Sequence, residues 1–302
     1  MDIEELRTFV EVADAGSVTA AALRLGLSKS IVSRRLARLE ADLGVQLVAR
    51  TTRGAGLTEA GITFREHAAR ISAEIEIARE TILPEGELRG TLRIAAPVTF
   101  GPTHFAPVIA RMARLNPDLH IRACYTDRFV DLIGEGFDCA IRVGHLTDSN
   151  LLVRKVGYTP ALYVASPDYI ARHGAPETPA EFEQHDVLMQ GAETWLALDG
   201  DTVITLKPKG RFKADNAVAL TAAALAGIGL AGLPSELIVD HLRSGALVPV
   251  MRQYPPPTLG IYVVRPHGLH PARKVRILTE MMIEACEGFC RDIMQREAAE
   301  KS

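Results

Sequence analysis

Seven basic side chains crowd into residues 24–53: Arg24, Lys29, Arg34, Arg35, Arg38, Arg50 and Arg53, against only Glu40 and Asp42. The whole chain has a formal net charge of −3, and residues 1–23 set Arg7 against Asp2, Glu4, Glu5, Glu11 and Asp14. Positive charge gathered into one short stretch of a mildly acidic chain is the footprint of a surface that meets phosphates. Taken alone, it also fits an ordinary solvated helix face. A second constellation, Gly227-Ile228-Gly229-Leu230-Ala231-Gly232, spells GxGxxG. A dinucleotide fingerprint needs strand, glycine turn and then helix; here an Ala-rich helical stretch precedes the glycines and a strand with Pro234 follows. The glycines therefore read as tight helix-to-strand packing. The sequence contains no GxxxxGK[ST], HExxH or GxSxG motif, and His145 and His185 lack a Ser or Cys partner at a recognisable spacing. Cys124, Cys139, Cys286 and Cys290 form no CxxC pair, so neither a zinc site nor a disulfide framework is expected. Cys124 and Cys139 read as small core residues on strands, with redox pairing as the alternative. The expectation is a protein that is not an enzyme and carries no cofactor and no metal.

The basic residues need elements to position them. Ile3, Leu6, Phe9, Val10 and Ala13 form one apolar stripe at helical spacing, ended by Asp14-Ala15-Gly16. Ser17 can cap a second helix through Ala20, Ala21, Ala22 and Leu25, before Gly26-Leu27 turns the chain. Ser28 then caps a third, in which Val32, Leu36, Leu39 and Leu43 share one face while Ser30, Ser33, Arg34, Ala37 and Arg38 face away. A helix in the major groove needs donors without bulk, and this face supplies them. The expected DNA contacts are Ser28, Lys29, Ser30, Ser33, Arg34, Arg35 and Arg38, with Arg34 the foremost candidate for a base edge. Val45 to Arg50 reads as a short strand, and Thr51 to Gly56 as a basic loop. Together they make a wing that brings Arg50 and Arg53 to the flanking backbone or minor groove; an ordinary surface hairpin is the alternative.

Four segments, Ala20-Ala21-Ala22-Leu23-Arg24-Leu25, Ser28-Lys29-Ser30-Ile31-Val32-Ser33-Arg34, Leu39-Glu40-Ala41-Asp42-Leu43-Gly44 and Leu57-Thr58-Glu59-Ala60-Gly61, resemble the winged helix-turn-helix signature of LysR-type transcriptional regulators. The likeness is specific over residues 1–65 and looser beyond. It departs at Val48, where the family usually carries Phe.

Thr58 can cap a long helix to about Ile82, with Phe64, Ala68, Ile71, Ile75, Ala78 and Ile82 stepping by four, three, four, three, four. Such a seam predicts an arm of about 36 Å that pairs with its counterpart in a second subunit. The alternative is packing on its own second domain. The expected divisions are 1–58 for the DNA-binding domain, 59–83 for the linker helix, 84–90 for a hinge rich in Gly, Pro and charge, and 91–302 for an α/β domain. Strands at 92–96, 119–125 and 137–142 alternate with helical patterns at 103–115 and 128–134, which predicts a largely parallel sheet. A hairpin at Asp199-Gly200-Asp201, an Ala-rich helix over 216–226, and strands near 228–233, 247–251 and 259–264 follow.

The resemblance implies that this domain is a two-lobed, periplasmic-binding-protein-like fold. It places lobe I at 91–160 and 267–302, lobe II at 161–266, and the crossings near Tyr158–Leu162 and Val263–Gly268. It also implies a small-molecule effector between the lobes, a tetramer built from dimers, and room for contact with RNA polymerase. Strand ends and helix N-termini collect polar donors, so Thr99, Phe100, Thr126, Asp127, Arg142, Val143, Gly144, Asp215 and Asn216 are effector-site candidates, with Gln190 in the second lobe. Arg142 could hold a carboxylate, or form a salt bridge to Asp127 or Asp138. Asp215 and Asn216 also fit plain helix caps, and Trp195 fits a core position. An acidic N-terminus and the lack of a long apolar run give the expectation of a soluble, cytoplasmic, nucleoid-associated protein without membrane contact. The competing class is a solute-binding or enzymatic domain whose helix-turn-helix serves protein contacts only.

Overall fold

The computed structural model describes residues 1–51, 54–82, 87–146, 151–191, 194–267 and 271–300. The expected hinge at 84–90 falls partly outside these residues, and the side chains of Ile82 and Cys290 lie outside them as well. The chain divides into two compact units, Met1–Leu88 with Val130–Asp138 and Gly268–Arg276, and Arg89–Phe129 with Cys139–His267 and Ile277–Ser302.

In the first unit, α1 (Ile3–Ala15) opens with a capping box between Asp2 and Glu5. Helices α2 (Val18–Leu25) and α3 (Lys29–Leu43) are capped by the Ser17 and Ser28 side chains. The turn between them rests on Gly26, whose φ of 64° is left-handed and suits glycine. Leu6, Phe9, Ala21, Val32, Leu36 and Leu39 make one core, as their spacing predicts. Strands β1 (Val48–Thr51) and β2 (Gly54–Leu57) pair antiparallel, Val48 opposite Leu57. The wing therefore starts three residues later than expected, and most of the expected loop at 51–56 is strand. Val48, at the position of the family's Phe, packs partly against the core.

Helix α4 (Glu59–Ile82) follows. Its expected seam is divided: the Phe64 ring packs at a tilt against Phe9 at 5.4 Å and Ala68 is buried in the unit's own core, while Ile71 is 41% exposed. On the same helix Arg65 binds Asp14 at 2.7 and 3.1 Å and the carbonyls of Gly134 and Glu135 at 3.2 and 3.3 Å. The helix expected over 128–134 is instead a set of turns around 132–136. Asp131 Oδ1 accepts from the amides of Ile133 and Gly134, and Gly136 (φ 72°) ends the turn before a second can form.

The second unit begins with β3 (Gly90–Ala96), a wide helical turn at Gly101–Phe105, α5 (Ala106–Leu115), β4 (Leu119–Tyr125), β5 (Cys139–Gly144) and β6 (Leu152–Thr159). It continues through β7 (Ala161–Ala165), α6 (Pro167–His173), α7 (Pro179–Phe182), β8 (Trp195–Asp199), β9 (Thr202–Leu206), α8 (Ala217–Leu225), β10 (Ala231–Pro234), α9 (Ser235–Arg243), β11 (Val248–Pro249) and β12 (Leu259–Arg265). Helix α10 (Arg273–Glu300) closes the chain. The first lobe's sheet has the order β4-β3-β5-β12-β6, and the second lobe's β10-β7-β11.

Two expectations change here. The sheet is mixed rather than largely parallel: β3 runs parallel to β4 and β5, β12 runs antiparallel to β5 and β6, and both pairings of β7 are antiparallel. Strand β12 belongs to the first lobe, so the return crossing lies between Pro249 and Leu259, ahead of the expected 263–268. The reason is the direction of entry. A chain returning across the cleft enters beside the C-terminal end of β5 and must run against it.

Helix α8 is apolar on nearly every face and is buried accordingly, through Ala217, Leu220, Ala223 and Ala224. The glycine motif is structural, as read from the sequence. Gly227 follows the Ala226 cap of α8 with a left-handed φ of 70°, and a methyl on Gly229 would lie 2.4 Å from the Asp186 carbonyl oxygen. Gly232 leaves room for Trp195, which stacks on Tyr163 at 5.5 Å.

Cys139 is buried, but Cys124 is exposed on the edge strand β4, which corrects its expected core position. The two flank β3, opposite Ile94 and Ala95. Two strand spacings, about 9–10 Å, exceed the Cα separation of roughly 7 Å that a disulfide tolerates. Among the described residues no helix is long and apolar enough to cross a membrane, and no group of three His, Cys, Asp or Glu side chains could hold a metal.

Candidate functional site

The recognition face is built by α3. Val32, Leu36 and Leu39 point into the core, which leaves Ser28, Lys29, Ser30, Ser33, Arg34 and Arg38 exposed. Ser28 caps the helix through Oγ, which accepts from the Ile31 amide at 3.4 Å and lies 2.9 Å from Ser30 Oγ. Among the described residues Lys29, Arg34 and Arg38 make no ion pair, so their charge is available to a polyanion. Arg35 is placed differently. It is half-buried, and its guanidinium donates to Glu4 at 3.1 Å and Thr8 at 3.4 Å on α1, joining the two helices. Arg24, counted in the basic cluster, pairs with Glu11 at 3.1 Å. The side chains of Arg50 and Arg53 lie outside the described residues.

The wing is fixed to α3 by Glu40, to which the sequence alone assigned a charge and a place in a motif but no contact. Glu40 Oε1 accepts from the amides of Leu47 and Val48 at 2.8 and 3.0 Å. Thr58 adds a second clamp: its amide donates to the Leu47 carbonyl at 3.0 Å, its hydroxyl donates to the Gln46 carbonyl at 2.7 Å, and Oγ1 accepts from the Gly61 amide at 3.0 Å. Replacing Glu40 with alanine removes two hydrogen bonds to a carboxylate. Urea unfolding of the full-length protein is expected to show a loss of about 1.5–3 kcal/mol, partly recovered by glutamine.

In the second unit the candidates fall into three groups. Asp127, Asn216, Asp215 and Gln190 meet. Asp127 Oδ1 accepts from the Val98 amide at 2.9 Å and Oδ2 from Asn216 Nδ2 at 2.6 Å, while Gln190 Nε2 reaches the Asp215 carbonyl at 3.5 Å. Asn216 is also the cap of α8, its Oδ1 accepting from Val218 and Ala219 at 2.9 and 3.2 Å.

Arg142 forms the second group. It donates to the Arg128 carbonyl at 3.0 Å and lies 5.0 Å over the Phe129 ring, itself 84% exposed. Burial pulls its guanidinium below the ordinary value, and the field of Asp127 opposes that pull. Neither expected salt bridge forms: among the described residues Arg142 has no direct ion pair, and Asp138 is held by Lys274 at 3.0 Å. Its remaining N–H groups suit a bidentate carboxylate. Thr99 and Thr126, both half-buried, sit at the same strand ends, with the Thr126 amide donating to Ala96 at 2.8 Å.

The third group is drawn into the scaffold. Phe100 is buried against Phe105, and Val143 and Gly144 are β5 residues paired with Ile261 and Gly260 rather than a loop after the strand. Sequence reasoning did not single out the Val98 amide or the Arg128 carbonyl, because a backbone group carries no residue signature, nor Phe129, whose ring meets Arg142 only once the chain has folded.

A helix-turn-helix whose basic outer face makes no ion pair among the described residues, followed by a two-lobed α/β domain, defines a DNA-binding regulator with a sensor domain. Residues 3–62 match the bacterial regulatory helix-turn-helix protein, lysR family, and residues 85–287 match the LysR substrate binding domain. The chain belongs to the LysR family of transcriptional regulators. It is similar to the regulator PtxR of Pseudomonas aeruginosa, 34% identical over 294 residues that cover 94% of this chain and 93% of PtxR. Among solved structures it is similar to full-length AphB, a virulence activator of Vibrio cholerae, with TM-score 0.55 and 27% identity over 94% of this chain and 99% of that one. CrgA of Neisseria meningitidis gives TM-score 0.54 and 29% identity over 94% and 99%.

Proposed function

We propose that this LysR-family regulator reads a partly palindromic operator as a dimer and that a small carboxylate in the interlobe cleft controls the reading. The observation that carries the first part is the exposed row Ser28, Lys29, Ser30, Ser33, Arg34 and Arg38, whose cations lack internal partners among the described residues. The reading extends to Arg50 and Arg53 of the wing. Dimerisation through α4 is supported by Ile71, a seam residue left 41% exposed on a helix of 24 residues. We extend the reading, on family membership alone, to pairing of dimers into a tetramer, contact with RNA polymerase and residence at the nucleoid. The test is fluorescence anisotropy on the DNA upstream of the chain's own gene, at near-physiological salt, against a scrambled duplex. Failure to distinguish the two duplexes, repeated in a random-sequence selection, sinks the reading.

The carboxylate part rests on Arg142, a partly desolvated guanidinium with unused donors beside the Asp127–Asn216 contact. Any carboxylate that changes DNA affinity in the wild type is expected to require at least about tenfold more concentration in Arg142→Ala. Arg142→Lys should recover only part of the response, because an ammonium cannot form the bidentate pair. An unchanged dose response in Arg142→Ala removes this residue from the site.

A further inference from the structure

Asp127 lies in the loop after β4, in the first lobe, and Asn216 heads α8 in the second, 89 residues away. Both oxygens of the Asp127 carboxylate are engaged, one by the Val98 amide of its own lobe and one by the Asn216 side-chain amide of the other. The orientation of Asn216 is fixed independently. Its Oδ1 accepts two backbone amides of α8, so only the NH₂ end can face Asp127. The Val98 N–H and the Asn216 NH₂, at the head of a nine-residue helix and within the field of Arg142, form an anion position, and the protein's own carboxylate fills it.

We propose that Asp127 is a tethered anion that latches the two lobes across the cleft, and that a carboxylate effector acts by displacing it from Asn216 and Val98. The proposal rests on the effector reading above but makes a demand that needs no effector. In Asp127→Asn, one end of the new amide must point an NH₂ at a donor, whichever way it is turned. In Asn216→Asp, the new carboxylate still caps α8 but sets its other oxygen against that of Asp127. The double variant D127N/N216D restores every hydrogen bond, with the one between the lobes reversed in polarity. The amide introduced at position 127 turns its carbonyl end to the Val98 N–H and its NH₂ end to the carboxylate introduced at position 216.

Hydrogen–deuterium exchange on the full-length protein at neutral pH reads this directly. Each single variant is expected to raise exchange by about tenfold or more in the segments that face each other across the latch, 98–100 and 126–128 in the first lobe and 214–216 in the second, and the double variant to return them to the wild-type rate. The α8 cap amides of Val218 and Ala219 stay protected in Asn216→Asp, which separates latch opening from loss of the helix. Wild-type exchange in the single variants, or a double variant as open as either, overturns the latch.

The displacement is tested by calorimetric titration of sodium acetate, succinate and benzoate into wild type and Asp127→Ala. Vacating the position should tighten at least one of them by about tenfold. Equal or weaker binding by Asp127→Ala overturns displacement. Binding of none of the three by either protein sinks the carboxylate reading together with displacement, while the exchange experiment still decides the latch.

Discussion

Arg34→Ala is expected to weaken operator binding by about 5- to 150-fold, the span of 1–3 kcal/mol for losing a side chain that donates to a base edge. The residue is exposed in the first half of α3 with no internal ion pair among the described residues, so its loss leaves the fold untouched. Anisotropy titrations on operator and scrambled duplexes give the diagnostic contrast. A base contact lowers operator affinity and relaxes discrimination at one position. A phosphate contact, expected for Lys29→Ala, weakens both duplexes alike and reduces the salt slope by about one. Arg35→Ala provides the opposite control: its bonds to Glu4 and Thr8 predict lost stability instead of lost discrimination. If Arg34→Ala binds both duplexes as the wild type does, the recognition helix does not read DNA through this residue.

Gly61→Ala should be the most damaging single methyl in the first unit. The added carbon would lie 2.0 Å from the Leu47 carbonyl oxygen, and that carbonyl cannot retreat. The Leu47 amide is held by Glu40 and its oxygen by the Thr58 amide, while its side chain is fully buried. Overpacking against a clamped backbone belongs at the upper end of the roughly 1–3 kcal/mol range. Thermal unfolding of the full-length protein should show a lowered first transition with operator binding lost in parallel. Glu59→Ala, an exposed change two residues earlier, should stay within about 0.5 kcal/mol of wild type. A stable Gly61→Ala protein would mean that α4 can shift along the wing.

The first 65 residues were the most legible because their signals are local. Ser17 and Ser28 begin helices, Gly26 and Gly44 end them, and the apolar spacing of α3 sets its outer face. Glu40 and Gly61 lay within recognisable motifs, yet their contacts depend on where the wing passes, which no short window contains. The turn around Asp131 misled because its apolar residues have helical spacing while the aspartate satisfies the amides of a single turn. Arg35 was grouped with the DNA face because it neighbours Arg34, whereas its angular position on α3 brings it to α1. In the second unit the strands were readable as segments but their partners were not. Nothing local tells β12 that its neighbours are β5 and β6, or Asp127 that it will meet Asn216.

The pairing of β6 with β12, Thr159 opposite Leu259, carries a mechanical consequence. The strand that leaves the first lobe and the strand that returns to it are hydrogen-bonded neighbours, so the two crossings start side by side. Two crossings so close together act as a hinge more readily than two set far apart, and opening of the cleft is expected as a rotation about them, which a pair of distance labels across it would follow.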